Sequence, residues 1–243
     1  MRLLTVIPAR LGSTRLPNKP LRLFAGEPLI RVVARNALAL GLPGELVVAT
    51  DDVRIVEAVR PLGIAAALTD RAHRSGTERV WQVARNPRYA ASDVLLNLQG
   101  DEPFLTPAVV FGAIARVRAG DQIGTAAQPL TERAASDPNR VKVEVDGHGR
   151  ARRFFRSSVD DCPSPGQGQW RGQTLQHIGI YAFTRQALEQ WMALPELLDE
   201  SVERLEQLRP LAGGMTIGVA AVSDPVPPGV DTEEDLRMAE AIR

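Results

Sequence analysis

The residues best suited to chemistry near the start of the chain are three cations separated by small polar residues. Arg10, Arg15 and Lys19 follow a short apolar run, and residues 12–14 between them are Gly, Ser and Thr. Such a run is typical of a buried parallel strand, which we expect to end at Pro8 because proline donates no ladder hydrogen bond. Small residues let a backbone approach phosphates, and Arg and Lys match phosphate charge. The segment predicts a polyphosphate-binding loop at the carboxyl end of the first strand.

This loop differs from the common phosphate-binding signatures. Neither G-x-x-x-x-G-K-[ST] nor G-x-G-x-x-G follows the first apolar run, so an NAD-dependent oxidoreductase is not favoured. The alternative is a basic surface loop after an edge strand. The order of residue types, with prolines at both ends of the cationic segment, favours phosphate binding.

Two acidic residues far apart in the sequence are candidates for holding a divalent cation. Asp101 follows an apolar run, and Asp231 lies in the glycine-containing loop P-G-V-D-T. Mg²⁺ favours one or two carboxylates together with phosphate oxygens and water. Each Asp alone could equally be a helix cap or a turn residue. Together with the cationic loop, they predict a shared Mg²⁺ site.

Other polar residues have two interpretations each. Ser75-Gly76-Thr77-Glu78-Arg79 could simply begin a helix, with a possible capping box, or its backbone turn could read a base edge. Thr50-Asp51 has the same ambiguity. His177 and Tyr181 on a predicted strand could be structural, and Cys162 has no partner histidine nearby, so we interpret it as incidental.

The elements that would position these residues alternate between strands and helices. The patterns predict strands over 45–50, 64–68, 93–98 and 123–129, and helices over 29–40, 53–62, 75–84 and 107–119. This alternation indicates βαβ units and a parallel sheet with right-handed crossovers. Active groups should lie beyond the carboxyl ends of the strands, which places Arg10, Asp51 and Asp101 on one rim.

The second half of the chain has a different pattern. Residues 141–145 and 151–155 flank D-G-H-G, which is a hairpin signal. Strands are predicted over 174–183 and 217–222, and helices over 186–193, 202–211 and 232–243. The Pro- and Gly-rich segment from Cys162 to Gly172 is predicted to be a mobile loop.

Composition limits the class of protein. The 243 residues are 44% hydrophobic and 24% charged, with 29 basic and 29 acidic side chains, so no global charge favours nucleic acid. No apolar run is long enough to span a membrane and no secretory signal is apparent, so the expected location is cytoplasmic. A single cysteine excludes an intramolecular disulfide.

Six segments together resemble one family. They are R-L-G-S-T-R-L-P-N-K-P-L, H-R-S-G-T-E-R, N-L-Q-G-D-E-P, H-I-G-I-Y, V-E-R-L-E-Q-L-R and G-V-D-T-E-E-D-L. In this order they resemble the 3-deoxy-manno-octulosonate cytidylyltransferase (CMP-Kdo synthetase) family of sugar-activating nucleotidyltransferases. The resemblance implies an α/β fold, with a mostly parallel central sheet, flanking helices and a smaller β-rich sugar-binding and dimerisation subregion.

The resemblance also implies an activity and an organisation. CMP would pass from CTP to the anomeric hydroxyl of 3-deoxy-D-manno-octulosonate (Kdo), for lipopolysaccharide-type envelope biosynthesis. One domain of residues 1–243 would comprise a nucleotide-binding half to about 130, a sugar-binding and dimerisation half over 131–222, and a closing segment over 223–243. A homodimer built through the second half is implied.

The resemblance assigns roles residue by residue. Arg10 and Lys19 would bind and polarise the CTP phosphates, and Asp101 and Asp231 would carry Mg²⁺; these four form the catalytic set. The nucleotide would contact Pro8, Ala9, Arg10, Ser13, Thr14, Arg15, Lys19, Thr50, Asp51, Ser75, Gly76, Arg79, Gln99 and Gly100. The acid sugar would contact Gln99, His177, Tyr181 and Glu206. Apart from the resemblance, the sugar carboxylate needs a cation, and Arg156 is our candidate for it.

One segment departs from the family pattern. The family usually has an aromatic pair followed by Ser-Arg, whereas Phe154-Phe155 is followed here by Arg156-Ser157-Ser158 and then by the acids 160–161. Two alternatives therefore stay open. One is a cytidylyltransferase for another acid sugar, an 8-amino ulosonate or a nonulosonate, and the other is a non-catalytic nucleotide-binding relative.

Overall fold

A computed structural model describes residues 2–13, 15–158 and 173–242. Several predictions fall outside these ranges: Thr14 of the cationic loop, the acids 160–161, Cys162 and the proposed mobile loop to Gly172. No helix in the described ranges is both long enough and apolar enough to cross a membrane.

Strands and helices alternate along the first part of the chain, as predicted. The strands are β1 Leu3–Ala9, β2 Leu23–Phe24, β3 Glu27–Pro28, β4 Glu45–Thr50, β5 Ala65–Leu68, β6 Val94–Leu98, β7 Ile123–Pro129, β8 Lys142–Val145, β9 Ala151–Phe155, β10 Gln173–Thr184 and β11 Ile217–Ala221. The α-helices are α1 Leu29–Ala39, α2 Val53–Val59, α3 Gly76–Ala84, α4 Pro107–Arg118, α5 Glu132–Ser136, α6 Arg185–Ala193, α7 Leu198–Glu203, α8 Leu208–Ala212 and α9 Glu233–Ala241. Short 3₁₀ helices cover Lys19–Leu21, Arg60–Leu62 and Pro87–Tyr89.

The chain forms two compact units. Unit 1 comprises Met1–Pro107 and Val226–Arg243, and unit 2 comprises Ala108–Pro225. In unit 1 the main sheet has four parallel strands in the order β6-β1-β4-β5, and β2 and β3 form a separate antiparallel pair. Every residue of β1 and of β6 is buried, as expected for strands covered on both faces. The helices α1, α2 and α3 contact these strands and supply the predicted βαβ units.

The first strand continues past Pro8 to Ala9, so the predicted end at Pro8 was wrong. Pro8 and Ala9 continue β1, in register with Ala49 and Thr50 of β4. On the other side, the ladder with β6 extends only to Val6. No hydrogen bond from residue 8 to β6 is therefore required, so a proline is tolerated at this position of an otherwise central strand.

Unit 2 is a mixed sheet in the order β11-β7-β10-β8-β9. Only β11 and β7 are parallel; the other neighbours are antiparallel. The predicted hairpin is confirmed as β8 and β9. The long strand β10 contains an irregularity against β7, since Ile178 pairs with Ala126 and Ala182 pairs with Gly124. Residues 179–181 thus form a β-bulge, a feature frequent beside functional sites.

Two helix predictions were wrong in detail. The helix predicted over 202–211 is two helices, because α7 ends at Glu203 and Arg204 adopts a left-handed conformation with φ 55°. The carbonyl of Glu203 accepts a hydrogen bond from Arg156 Nε at 3.0 Å. The helix predicted over 53–62 changes to 3₁₀ geometry from Arg60, where Pro61 has no amide hydrogen to donate.

Candidate active site

The cationic loop leaves β1 at Arg10 and is anchored by apolar and backbone contacts. Leu16 is buried, and its amide donates to Ser13 Oγ at 3.3 Å. Asn18 adopts a left-handed conformation with φ 54°, and Pro20 occupies the first turn of the 3₁₀ helix that starts at Lys19. These features turn the chain back, so that Lys19 faces the rest of unit 1.

Lys19 bonds to both Asp101 and Asp231, the two proposed metal ligands that lie far apart in the sequence. Its Nζ donates to a carboxylate oxygen of Asp101 and to Asp231 Oδ1 at 2.9 Å. Arg15 forms a second ion pair with Asp231, with Nη2 3.0 Å from Oδ2. The backbone adds a further link, because the Val230 amide donates to the Asp101 carbonyl at 2.8 Å. The predicted convergence of cations and carboxylates is therefore present in unit 1.

Asp231 is not the cap of the closing helix. Thr232 and Asp235 form a full capping box at the start of α9, and Asp235 Oδ2 also accepts from the Asp231 amide at 3.2 Å. The carboxylate of Asp231 is therefore directed to Lys19 and Arg15 rather than to its own helix. This argues against the capping alternative that the sequence left open.

The electrostatics of this cluster favour the charged form of Lys19. Burial lowers the pKa of Lys19, but the negative charges of Asp101 and Asp231 and their hydrogen bonds outweigh burial and raise it above its ordinary value. Lys19 is thus a fixed cation, with a side chain only 15% exposed. Asp101 and Asp231 keep about 30% of their side chains exposed, so a ligand can approach them.

The carboxylate pair fits the requirements of Mg²⁺. Two carboxylates are a number that this ion commonly takes from a protein when phosphate oxygens and waters complete its shell. Both are already held beside one cation, Lys19. In the described part of the chain, no group of three or more His, Cys, Asp or Glu side chains is placed to hold a metal ion.

The predicted nucleotide-binding residues of two other loops meet Pro8. Gly76 and Gly100 both lie close to it, since an added Cβ would lie 3.0 Å from Pro8 Cγ at Gly76 and 2.6 Å from the Pro8 carbonyl at Gly100. The same position at Gly76 lies 3.3 Å from Gln99 Oε1. Arg10 Nη1 donates to the Arg74 carbonyl at 3.2 Å. The carboxyl ends of β1 and β6 and the start of α3 thus form one rim.

Four other predicted nucleotide ligands, Thr50, Asp51, Ser75 and Arg79, have structural partners. Arg79 is buried, and its guanidinium donates to Asp51 Oδ2 at 2.9 Å and to Thr69 Oγ1 at 2.6 Å. Thr50 is buried, and its hydroxyl accepts from the Asp52 amide at 3.3 Å. Ser75 caps α3 by accepting from the Glu78 amide at 3.2 Å. Glu78 accepts from the Arg74 amide at 2.6 Å. Their contact with a nucleotide stays a prediction.

The close approach of Gly100 to Pro8 gives a testable expectation. In Gly100→Ala the new methyl group would lie 2.6 Å from a backbone oxygen of β1, so the chain must shift. We expect the free energy of unfolding to fall by about 1–3 kcal/mol, the usual cost of overpacking. The matched control is Gly12→Ala, where nothing lies within 4 Å of the added Cβ. Urea unfolding of both variants measures the difference, and equal stabilities would contradict the close packing of this rim.

The sugar-binding candidates of unit 2 form a second cluster. The His177 ring lies 5.1 Å from Phe154 and 5.6 Å from Tyr181, centroid to centroid. Burial, and then the charge of Glu206, raises the pKa of Tyr181 well above its ordinary value, while the charge of Arg156 opposes this rise. Burial, together with the charge of Arg156, lowers the pKa of His177 to about 3. Four of the five predicted sugar ligands therefore lie near one another; the fifth, Gln99, belongs to unit 1.

Arg156, predicted to bind the sugar carboxylate, bonds to backbone carbonyls. Besides Glu203, its guanidinium donates to the carbonyl oxygen of Asn139 at 3.1 Å. Its own carbonyl accepts from Lys142 Nζ at 3.0 Å, and Lys142 is completely buried. Sequence reasoning missed Lys142, because a lysine in a hairpin strand gives no signal of burial.

The depressed pKa of His177 predicts a pH-dependent stability. Between the ordinary value of 6.5 and about 3, the unfolded chain binds more protons at this residue than the folded chain. The stabilisation is complete above pH 6.5 and is lost as pH falls towards 3, with a limiting slope of about 1.4 kcal/mol per pH unit. Urea unfolding of the wild type and of His177→Gln between pH 7 and 4 isolates this contribution. The wild type should lose stability relative to the variant on acidification; parallel profiles would contradict it.

Comparisons with known proteins agree with the class of enzyme that the sequence predicted. A family profile described as "Cytidylyltransferase" matches residues 4–217. The chain is 44% identical over 241 residues to 3-deoxy-manno-octulosonate cytidylyltransferase of Gemmatimonas aurantiaca, covering 98% of this chain and 93% of that protein. It is 42% identical over 251 residues to the enzyme of the same name from Xanthomonas campestris pv. campestris strain 8004, covering 98% of both.

Two solved structures are also similar to this chain. A CMP:2-keto-3-deoxy-manno-octonic acid synthetase complexed with CTP superposes with a TM-score of 0.86 and 36% identity, covering 100% of this chain and 98% of that one. A cytidylyltransferase from Leptospira borgpetersenii shares the fold, with a TM-score of 0.63 at 15% identity, over 99% of this chain and 86% of that one.

The fold is thus that of the nucleotide-diphospho-sugar transferases, with a mostly parallel sheet and flanking helices, as the sequence predicted. Within that class, the chain belongs to the 3-deoxy-manno-octulosonate cytidylyltransferase family. The resemblance inferred from six short segments is confirmed over nearly the whole chain.

Proposed function

We propose that this chain transfers CMP from CTP to the anomeric hydroxyl of 3-deoxy-D-manno-octulosonate and releases pyrophosphate. The names of its relatives and the CTP complex of a 36%-identical structure support this proposal. The observation that carries it is the meeting of Lys19 with Asp101 and Asp231. A non-catalytic relative could lose any of these residues, whereas this chain keeps all three in contact.

The cations of the first loop would bind the triphosphate. Arg10 and Arg15 are exposed residues, and Lys19 is fixed in position by its two carboxylate partners. Phosphoryl-type transfers depend on positioning and on charge neutralisation more than on covalent catalysis. A preorganised ammonium needs little rearrangement to stabilise charge that develops on the phosphates.

Asp101 and Asp231 are the residues that would hold Mg²⁺. When bound beside a triphosphate, this ion neutralises phosphate charge and lowers the pKa of an attacking hydroxyl. Because Lys19 already bonds to both carboxylates, the same ammonium would place its charge close to the bound phosphates. Asp101 and Asp231 would thus both hold the ion and keep the Lys19 ammonium near the nucleotide phosphates.

The acid sugar would bind at the cluster of unit 2. Tyr181, His177 and Glu206 supply hydroxyl, imidazole and carboxylate groups for the hydroxyl groups of a sugar. The sugar carboxylate needs a cation, and Arg156 is the candidate in that cluster. In the reaction, the anomeric oxygen forms a bond to the α-phosphorus while the bond from that phosphorus to the pyrophosphate oxygen breaks.

The assembly and location follow as proposals. A homodimer built through the second half is supported by the exposed apolar residues Leu198 and Val202 on α7, which are 79% and 70% exposed, since such surface is often covered by a partner. A cytoplasmic location suits an enzyme that consumes a nucleoside triphosphate.

Nucleotide preference tests the proposed activity. Pyrophosphate release is measured with the acid sugar and each of CTP, UTP, ATP and GTP, in the presence of Mg²⁺. We expect CTP to be used far better than the others, because the matching family and the relatives are named as cytidylyltransferases. Comparable turnover with UTP would contradict the assignment.

A further inference from the structure

Thr125 contacts His177, one of the proposed sugar ligands. No sequence pattern identifies Thr125 as a functional residue. It lies on β7, opposite the β-bulge at residues 179–181 of β10, and it is completely buried. Its hydroxyl oxygen lies 2.6 Å from the Ile180 carbonyl and 2.9 Å from His177 Nε2. A longer approach of 3.4 Å joins it to the Ile178 carbonyl.

The position of the hydroxyl proton follows from these distances. Two oxygens 2.6 Å apart repel each other unless a proton lies between them, and the Ile180 carbonyl has no proton to give. The Thr125 hydroxyl therefore donates to Ile180. Its lone pairs face His177 Nε2, so at 2.9 Å that nitrogen must be the donor.

We propose that Thr125 is a positioning residue that holds His177 as the neutral tautomer with its proton on Nε2. The imidazolium form is disfavoured by the enclosing rings of Phe154 and Tyr181 and by the nearby charge of Arg156. In the remaining form Nδ1 carries a lone pair and can only accept a hydrogen bond.

This assignment has a consequence for the ligand, which rests on the proposed function. An acceptor nitrogen binds a group that donates a proton, such as a sugar hydroxyl, and cannot bind a carboxylate. His177 would then discriminate for a hydroxyl, whereas the sugar carboxylate depends on a cation. The β-bulge matters here, because it brings the Ile180 carbonyl to the hydroxyl of Thr125.

Nitrogen NMR of the histidine rings tests the tautomer directly. The chain has three histidines, and a His177→Gln variant assigns the relevant ring. In ¹⁵N-histidine-labelled full-length protein at pH 7.5, two-bond ¹H–¹⁵N correlations should show the Nε2–H form at His177. Thr125→Ser keeps the hydroxyl and should preserve this pattern. Thr125→Val removes it and should shift the ring towards the other tautomer. A wild-type ring in the Nδ1–H or imidazolium form, or an unchanged tautomer in Thr125→Val, would overturn the proposal.

Kinetics separate this proposal from the proposed function. In Thr125→Val we expect the KM for the acid sugar to rise roughly tenfold, the scale of one lost hydrogen bond, with the KM for CTP unchanged and Thr125→Ser close to the wild type. Thermal unfolding confirms that both variants are folded. If the tautomer shifts as expected but the KM for the sugar does not, the placement of the sugar at His177 is wrong while the role of Thr125 stands.

Discussion

Asp231→Asn should reduce turnover by about a thousandfold and raise the Mg²⁺ concentration needed for half-maximal activity, and Asp101→Asn should do the same. Each change removes one of the two negative charges that face Lys19, and with it one ligand proposed for the ion. Loss of a single charged group at a transition state costs on the order of 10²–10³ in rate. Asn keeps the size of Asp, so a residue that only shapes a turn would tolerate the change.

The double variant distinguishes a shared site from two separate roles. Residues that act as a unit are not additive, so Asp101→Asn with Asp231→Asn should be little slower than the slower single variant. The matched control is Asp235→Asn, four residues from Asp231, which weakens the capping box of α9 at a cost of about 1 kcal/mol of stability. Turnover against Mg²⁺ concentration is measured for all four variants. Near-normal activity of Asp231→Asn at ordinary Mg²⁺ would exclude the shared site.

Lys19→Ala should lower turnover about a hundredfold or more, while the protein stays folded. The ammonium is fixed between two carboxylates, and the loss of one preorganised donor to a developing charge has this scale. The measurement is kcat and KM for CTP, together with a thermal unfolding curve.

A second cation of the same segment controls for the loss of charge. The Arg22 side chain forms an ion pair with Glu233, with Nη2 2.8 Å from Oε1. Its backbone amide donates to the Lys19 carbonyl at 3.1 Å, and a change of side chain keeps that hydrogen bond. Arg22→Ala removes one positive charge from the same segment and should keep most of the activity. An unchanged rate in Lys19→Ala, or equal losses in the two variants, would mean that the loop is only a basic surface.

The sequence was a good guide wherever a local pattern determines the structure. The alternating apolar runs predicted the strands of unit 1, and T-E-E-D predicted the start of α9 at Thr232, which the capping box confirms. The two strand predictions over 45–50 and 123–129 match the observed bounds. These features depend on hydrophobic periodicity and on helix capping, and both are determined by a few neighbouring residues.

Long-range pairing was harder to predict. Asp231 was expected to share a Mg²⁺ site with Asp101, but no local pattern shows what holds the two segments together. That link is the hydrogen bond from the Val230 amide to the Asp101 carbonyl. Arg79 was predicted to contact the nucleotide, yet its side chain is buried and its guanidinium donates to Asp51 and Thr69. In each case the deciding partner lies many residues away.

The missed residues of unit 2 have the same explanation. Thr125 and Lys142 are buried polar residues, and each is satisfied by backbone carbonyls. Burial of such groups is tolerated only when every partner is in place, which depends on the β-bulge and on the packing of separate strands. A single sequence does not reveal those partners.

The identity of the acid sugar as Kdo is tested by measuring pyrophosphate release with CTP and a panel of acid sugars. The panel contains Kdo, its 8-amino analogue and a nonulosonate, each at saturating CTP and Mg²⁺, with the mass of the nucleotide product confirming CMP transfer. We expect the highest kcat/KM for Kdo, with CMP-Kdo and pyrophosphate formed in equal amounts. A higher kcat/KM for the 8-amino ulosonate or the nonulosonate, or no sugar-dependent pyrophosphate release, would contradict it.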